Sequence, residues 1–409
     1  MVELNDRSKL CSESNRCLEQ VATNHNSKSE ETAPQSGCAI RVVWFSYQPT
    51  PYNDVLFRHL AASQHLSLRV VYRASVLSSH PWKTTLGTGY AHRYYRQIFG
   101  IDFRSILQAF DRQTDCFVVA GWDHPTTFVL LTLLRVMARR YMIWTDTPLL
   151  VGRRRTAFVR WARQHWLQWL FEGSQACFST GKEGVSRLRD MGVPSDKAHN
   201  LPFVLNIDEY PDWCHLRCKF GSTTKLRFMS SGRLSNPVKG YDLAIRALAH
   251  ALGASDGWEY TIAGSGPDQG ALEELATSLG VGANVRFLGW VEPSDLKDEL
   301  SKSHAFIHPS PRHDPYPNAV LEAMAAGCVV FASNACGSAL DRISHGDSGF
   351  IHRHGDWLHL ANQIAHLRSI VPEIEPIARR ARGTAEYWSI DRSLRSLMNV
   401  ISGADQCAD

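Results

Sequence analysis

The strongest constraint on the fold is a rhythm: short apolar runs alternate with segments of helical periodicity, and the alternation occurs twice. In the first half, Ile40-Arg41-Val42-Val43-Trp44-Phe45, Leu66–Tyr72, Cys116–Ala120 and Tyr141–Trp144 read as strands, with helical segments such as Asp54–Ala62 and Thr126–Arg139 between them. After a break the second half repeats the pattern. Strands are expected at Leu226–Ser230, Trp258–Ala263, Val285–Leu288, Ala305–His308 and Cys328–Ala332. Helices are expected at Tyr241–Leu252, Gly270–Leu279, Ser294–Ser301 and Asn318–Ala326. Short apolar strands alternating with amphipathic helices argue for parallel sheets covered by helices on both faces. The expected class is α/β, with two Rossmann-like, doubly wound domains. Ligands of such sheets bind beyond the carboxyl ends of the strands, which places the chemistry in loops facing an inter-domain cleft.

A chain of 409 residues is too long for one ordinary core and suits two. Residues 1–38 are polar, poor in aromatics and without apolar period, and read as a disordered tail. The first domain is expected over 39–204 and the second over 225–385, with 205–224 as a linker. Residues 39–204 hold 21 Lys and Arg against 10 Asp and Glu, whereas 225–383 hold 15 against 17. The basic half suits either an anionic partner or simple solubility. Arg153-Arg154-Arg155 and the segment through Arg160, Trp161, Arg163, Trp166 and Trp169 sharpen that choice, between a solvated basic face and a peripheral contact with anionic lipid. No apolar run reaches the ~18 residues of a membrane span, and no signal-type leader opens the sequence. The ten cysteines are scattered, and Cys214 with Cys218 lacks the second pair that a zinc site needs. A cytoplasmic protein with reduced thiols is expected, its membrane contact, if made, at the inner face.

Two segments concentrate the chemistry. Asp314-Pro315-Tyr316-Pro317-Asn318-Ala319-Val320-Leu321-Glu322 runs into a helix that Pro317 and Asn318 open and Gly327 ends. The free amides at such a start form an anion site suited to a diphosphate. Glu322, four residues beyond Asn318, shares its face and can accept two hydrogen bonds from a ribose diol. Asp314 on the incoming loop can reach sugar hydroxyls. The plainer reading makes Glu322 a solvated helix residue and Asp314 a turn former. In the second segment, the strand Leu226–Ser230 leads into Ser231-Gly232-Arg233-Leu234 and then Lys239-Gly240, setting two cations around one loop. Arginine offers phosphate a planar fork and lysine a point charge. The sequence holds no Asp-x-Asp, the usual metal clamp on a sugar diphosphate, so no metal is expected. Gly181-Lys182 lacks the frame of a phosphate-binding P-loop, and Gly264-Ser265-Gly266 has Gln269 where a dinucleotide fingerprint needs a third glycine.

Together these segments resemble glycosyltransferase family 4, retaining enzymes of the GT-B fold. Gly232-Arg233-Leu234 with Lys239-Gly240 resembles the family pattern G-R-L-x-x-x-K-G, with one more residue of spacing. Asp314 through Gly327 resembles E-G-F-P-N-x-x-L-E-A-M-A-x-G. Ile262-Ala263-Gly264-Ser265-Gly266-Pro267 and Val285-Arg286-Phe287-Leu288-Gly289 look like two further family motifs, in family order. The resemblance implies a GT-B fold whose domains face each other across a cleft. It also implies metal-independent transfer of a sugar from a nucleoside-diphosphate-sugar donor to a lipid-linked or saccharide acceptor, as in cell-surface polysaccharide or glycolipid assembly. On this reading the donor is a substrate; no cofactor and no nucleic-acid partner are expected.

Carried over residue by residue, Arg233 and Lys239 neutralise the donor diphosphate, Glu322 binds the ribose, Asp314 touches the donor sugar, and Gly232, Gly264 and Asn318 line the donor site. The first carboxylate is Asp314 where the family usually has Glu, and Pro315 stands in place of a Gly. Tyr47–Tyr52 occupies the loop where family members contact the acceptor. Asp146 ends a strand where many relatives carry a catalytic His, and is expected to face the reacting centre; His124 is the alternative. The final helix, 386–402, is expected to cross back onto the first domain. Two other functions share the fold: a nucleotide-sugar epimerase, and a sugar-nucleotide binder without turnover.

Overall fold

A computed structural model describes residues 39–74, 89–146, 148, 156–221, 225–255, 257–369 and 374–403. The proposed tail 1–38 and the Arg153-Arg154-Arg155 run lie outside the described residues.

The first lobe contains β1 (Ile40–Ser46), α1 (Pro51–Ala62), β2 (Leu66–Tyr72), β3 (Ala91–Tyr94), α2 (Phe103–Leu107) and β4 (Cys116–Ala120). It continues with α3 (Pro125–Val136), β5 (Tyr141–Trp144), α4 (Ala157–Gly173), β6 (Ala176–Ser179), α5 (Gly181–Asp190) and β7 (Ala198–Asn200). All its strands pair in parallel in the order β3-β2-β1-β4-β5-β6-β7. Apart from Ile40 and Arg41 at the start of β1 and Ala120 at the end of β4, the strands β1, β4 and β6 are buried, as strands sandwiched between helix layers must be. β3 and β7, at the two ends, are the most polar, because an edge strand has no second neighbour.

A short helix, α6 (Trp213–Leu216), precedes the second lobe. The expected linker is more ordered than its composition suggests. The Lys219 ammonium donates to the Ala326 carbonyl at 2.9 Å, and Trp213 and Leu216 pack against Gly327.

The second lobe runs through β8 (Leu226–Ser231), α7 (Asn236–Lys239), α8 (Tyr241–Leu252), β9 (Trp258–Ala263), α9 (Gln269–Ser278), β10 (Val285–Gly289) and α10 (Pro293–Lys302). Then come β11 (Ala305–His308), α11 (Asn318–Ala325), β12 (Val329–Ser333), α12 (Gly337–Arg342), β13 (Gly349–His352), α13 (Trp357–Ser369) and α14 (Ile374–Tyr387). Its six parallel strands are ordered β10-β9-β8-β11-β12-β13. Both sheets reverse direction at one point, between β1 and β4 and between β8 and β11. Each switch point opens a crevice at the carboxyl edge.

The last helix, α15 (Ile390–Ser402), belongs to the first lobe's packing although it follows the second. Its buried residues Ile390, Leu397, Val400 and Ile401 recur at helical spacing and join the core formed by β1, β2 and α1. Gln175 Nε2 donates to the Val400 carbonyl at 2.6 Å and Arg140 Nη2 to that of Ile401 at 2.8 Å, which satisfies the helix's terminal acceptors. The chain thus crosses between lobes twice at one place, where Ile390 N–H donates to Leu205 O at 3.2 Å. Replacing the fully buried Leu397 with Ala is expected to cost about 2–5 kcal/mol, seen as a lower urea midpoint. An unchanged midpoint would mean that α15 is not part of the first core.

Candidate functional site

Between the carboxyl edges of the two sheets lies a cavity of about 880 Å³, walled by both lobes. The first lobe contributes Tyr47, Gln48 and Tyr52 from the β1–α1 loop, Gly121 after β4 and Asp146 after β5. From the second come Gly232, Arg233 and Lys239 after β8, Gly264 after β9, Trp290 after β10, and Asn318 and Glu322 of α11.

Two glycines let the floor of this cavity close. Gly232 and Gly264 adopt φ of 135° and 141°, conformations that L side chains rarely enter. A Cβ on Gly264 would lie 1.9 Å from the Gly232 carbonyl oxygen, so the loops after β8 and β9 touch backbone to backbone. Gly232 N–H donates to Ala263 O at 2.9 Å, and Leu234 N–H to Ser265 O at 3.1 Å. Held this way, the loop leaves the Arg233 side chain exposed in the cleft, and no carboxylate among the described residues pairs with it.

Lys239 is placed differently. Its ammonium lies 2.6 Å from Asp314 Oδ2. The same oxygen is approached by His308 Nε2 at 2.9 Å and accepts from Ser310 Oγ at 3.2 Å. Asp314 is therefore turned toward Lys239 and the buried His308, and does not line the cavity, whereas direct contact with a sugar was expected. Its side chain is one methylene shorter than the glutamate of the family pattern, and its backbone is pinned to Ala335 O and Gly337 N–H at 3.0 and 3.1 Å. The His308 and Lys239 partners hold its carboxyl well below the usual range despite the opposing effect of burial. Burial lowers His308. Since the Asp314 pKa is depressed by folding, its ionisation stabilises the protein above the ordinary carboxylate range, and that contribution fades on acidification.

The start of α11 faces the cavity with Pro317 at its cap position and no side chain capping its first turn. The Asn318 Oδ1 atom is buried without a partner. An uncapped helix start beside two cations favours an anion. Glu322 points to the same space. Burial raises its carboxyl to about 7, with Lys297 partly opposing.

Across the cleft, Asp146 lines the wall. The Asp146 carbonyl accepts from Ser179 Oγ at 3.1 Å, which fixes the end of β5. His124 does not line the cavity; its Nδ1 accepts from Thr126 N–H at 3.2 Å and caps α3. Of the expected residues, then, Asp146, Gly232, Arg233, Lys239, Gly264, Asn318 and Glu322 share one wall or the other, while Asp314 stands behind Lys239.

Sequence reading missed Trp290, whose 38%-exposed ring offers a flat apolar plane on the cavity wall. The signal was present: it directly follows Gly289 at a strand's carboxyl end. Among the described residues, no group of three or more His, Cys, Asp or Glu could hold a metal ion.

Residues 217–382 match the family described as glycosyl transferases group 1. A D-inositol 3-phosphate glycosyltransferase of Rhodococcus jostii is 30% identical over 243 residues, covering 56% of this chain and 52% of that protein. The lipopolysaccharide core biosynthesis glycosyltransferase LpsE of Rhizobium meliloti is 34% identical over 109 residues, 27% of this chain and 30% of its own. The chain thus spans about half or less of the length of these curated relatives. Among solved structures, Anabaena Alr3699/HepE in complex with UDP superimposes with a TM-score of 0.69 at 17% identity, covering 90% of this chain and all of that one. WaaG, a glycosyltransferase involved in lipopolysaccharide biosynthesis, gives 0.63 at 16%, covering 88% and all. The fold is therefore that of the two-lobed GT-B glycosyltransferases, and its second lobe carries the match to glycosyl transferases group 1.

Proposed function

We propose that the protein is a retaining, metal-independent glycosyltransferase of the family 4 type, which moves a sugar from a nucleoside diphosphate to an acceptor hydroxyl. The observation that carries this reading is the meeting of Arg233, Lys239 and the uncapped start of α11 in one cavity, with Glu322 alongside. A diphosphate leaving group gathers negative charge as its bond to the sugar breaks. Arg233 and the α11 amides offset that charge in place of a metal, and Lys239 reinforces them from its position on Asp314. Asp314 then acts through Lys239. Glu322 accepts the ribose hydroxyls, and Trp290 offers a stacking plane to the base.

The acceptor enters along the first lobe, between the Tyr47–Tyr52 loop and Asp146. Asp146 accepts a hydrogen bond from the attacking hydroxyl as that group approaches the face the diphosphate is leaving. No side-chain nucleophile is required: orientation of the two substrates and stabilisation of the leaving group supply the rate. By likeness to LpsE and WaaG, both named for lipopolysaccharide biosynthesis, the acceptor is a lipid-linked or saccharide component of a surface glycan.

Three outcomes follow. Arg233→Ala should lower turnover roughly 10²–10³-fold with the unfolding midpoint unchanged; near-wild-type turnover of the donor would remove the diphosphate role. Transfer should continue in EDTA, and loss that added Mg²⁺ or Mn²⁺ restores would contradict the metal-free mechanism.

The third concerns pH. A ribose diol donates to ionised Glu322, whose carboxyl keeps its proton up to about 7. UDP affinity, measured by calorimetry, should therefore weaken as pH falls below that value, approaching about tenfold per unit, and Glu322→Gln should flatten this part of the profile. The sign for folding is opposite to that of Asp314: a raised carboxyl pKa costs stability as pH rises from the ordinary glutamate range through 7. A profile that Glu322→Gln leaves unaltered would detach Glu322 from the ribose.

A further inference from the structure

Helices α2, α3 and α4 lie side by side over one face of the first sheet, opposite the face that α1 and α15 cover. Their outward sides are apolar to a degree that the fold does not require. Phe103 and Leu107, one helical turn apart on α2, are 51% and 64% exposed, and on α4 Phe158 and Trp161 are 73% and 57% exposed with their rings stacked at 6.0 Å. Single exposed apolar residues are ordinary, but several of them on neighbouring helices mark an interaction surface.

The turn before α2 is the most telling part. Ile98 N–H donates to Ile101 O at 2.9 Å and Ile101 N–H to Ile98 O at 3.1 Å, closing a two-residue hairpin. Its central residues, Phe99 and Gly100, have φ of 51° and 77°. Such a turn selects Gly, Asn or Asp at its first central position, because a bulky side chain at positive φ is strained. Phe99 occupies it and is 99% exposed, so the strain brings no burial within the chain.

Position and charge narrow the partner. Asp102 N–H donates to Thr126 Oγ1 at 3.0 Å, tying the starts of α2 and α3 together, and Arg163 pairs with Asp123 at 2.7 Å, tying α4 to the loop after β4. These contacts lie at the carboxyl edge of the first sheet, the edge that opens into the cleft. At this edge Arg96, Arg104 and Arg160 are exposed, whereas Asp102 is buried under Arg93 and Asp123 is engaged by Arg163.

We propose that this face docks the protein on an anionic lipid bilayer. The Phe99 turn and the aromatic residues of α2 and α4 enter the boundary between headgroups and acyl chains, and the flanking arginines rest on lipid phosphates. The cleft then opens beside the membrane surface. The surface is separate from the transfer chemistry, and vesicle binding is read without turnover, so either idea can fail alone.

The test is sedimentation of the full chain with vesicles of phosphatidylcholine alone and with about one third phosphatidylglycerol. Binding is expected to the anionic vesicles, to weaken in high salt, and to fall about tenfold or more in Phe99→Asn/Phe103→Ser. Phe99→Asn alone should raise the unfolding midpoint while weakening binding, a combination that a purely structural role for Phe99 would not give. Arg96→Glu/Arg104→Glu, which leaves the packing alone, should also weaken it. Protein that stays in the supernatant, or variants that bind like the wild type, would overturn the proposal. So would a dimer in solution that the Phe99→Asn/Phe103→Ser variant dissolves, since the face would then belong to a second copy.

Discussion

The pair formed by Lys239 and Asp314 governs how the donor side of the cleft is built. It joins the loop after β8 to the loop that leads into α11, two segments 75 residues apart in sequence. Asp314 is braced from below by His308 and Ser310, so the ammonium is set by a network and not by one flexible contact. Removing either partner would leave the other charge partly buried and unpaired, which costs more than losing a surface ion pair. The arrangement also distinguishes the two cations: Lys239 is already paired with Asp314, while Arg233 pairs with no carboxylate among the described residues. A dianionic leaving group, as proposed, would meet one cation with no carboxylate partner and one that must be shared.

Several contacts among the described residues hold the opposite wall to this one. His313 Nε2 lies 2.9 Å from Glu183 Oε2, and Lys182 N–H donates to Asp341 Oδ2 at 2.8 Å. Buried Arg342 donates to the Phe203 carbonyl at 2.9 Å while its guanidinium lies over the rings of Tyr316 and Trp388. The Arg342 contacts join Tyr316, in the loop that leads into α11, to Phe203 and Trp388 beside the two inter-lobe crossings, and His313 immediately precedes the same loop. The donor loop and the lobe junction are thus one mechanical unit, and a change in lobe angle is felt where the sugar nucleotide would sit.

Much of this was legible in the sequence because buried parallel strands announce themselves. Most inner strands of both sheets are predominantly apolar runs, and those the sequence marks lie within a residue or two of where the structure has them. The strands that escaped notice were β3, whose Ala91-His92-Arg93-Tyr94 has no apolar signal, and the short β6, β7 and β13. Arg233, Lys239 and Glu322 could be found because strand ends and helix starts are local features, readable from Gly, Pro and Asn. The placement of Asp314 could not. It depends on His308, which reads in sequence only as the last residue of an apolar strand, and on how far one methylene reaches in three dimensions. Burial around Glu322 is likewise a tertiary property, set by the lobes closing over α11 and not by its neighbours along the helix. Phe99 was missed because positive φ at a bulky residue is what sequence rules advise against.

The proposed function requires one cleft to gather cations, helix amides and Glu322 around a single nucleoside diphosphate. The most direct measurement is a crystal structure of the protein soaked or grown with UDP. The diphosphate should lie within hydrogen-bonding distance of the Arg233 guanidinium and the first amides of α11, with the ribose hydroxyls on Glu322. A diphosphate bound elsewhere, or an Arg233 side chain turned away from it with the ribose off Glu322, would rule out this donor site.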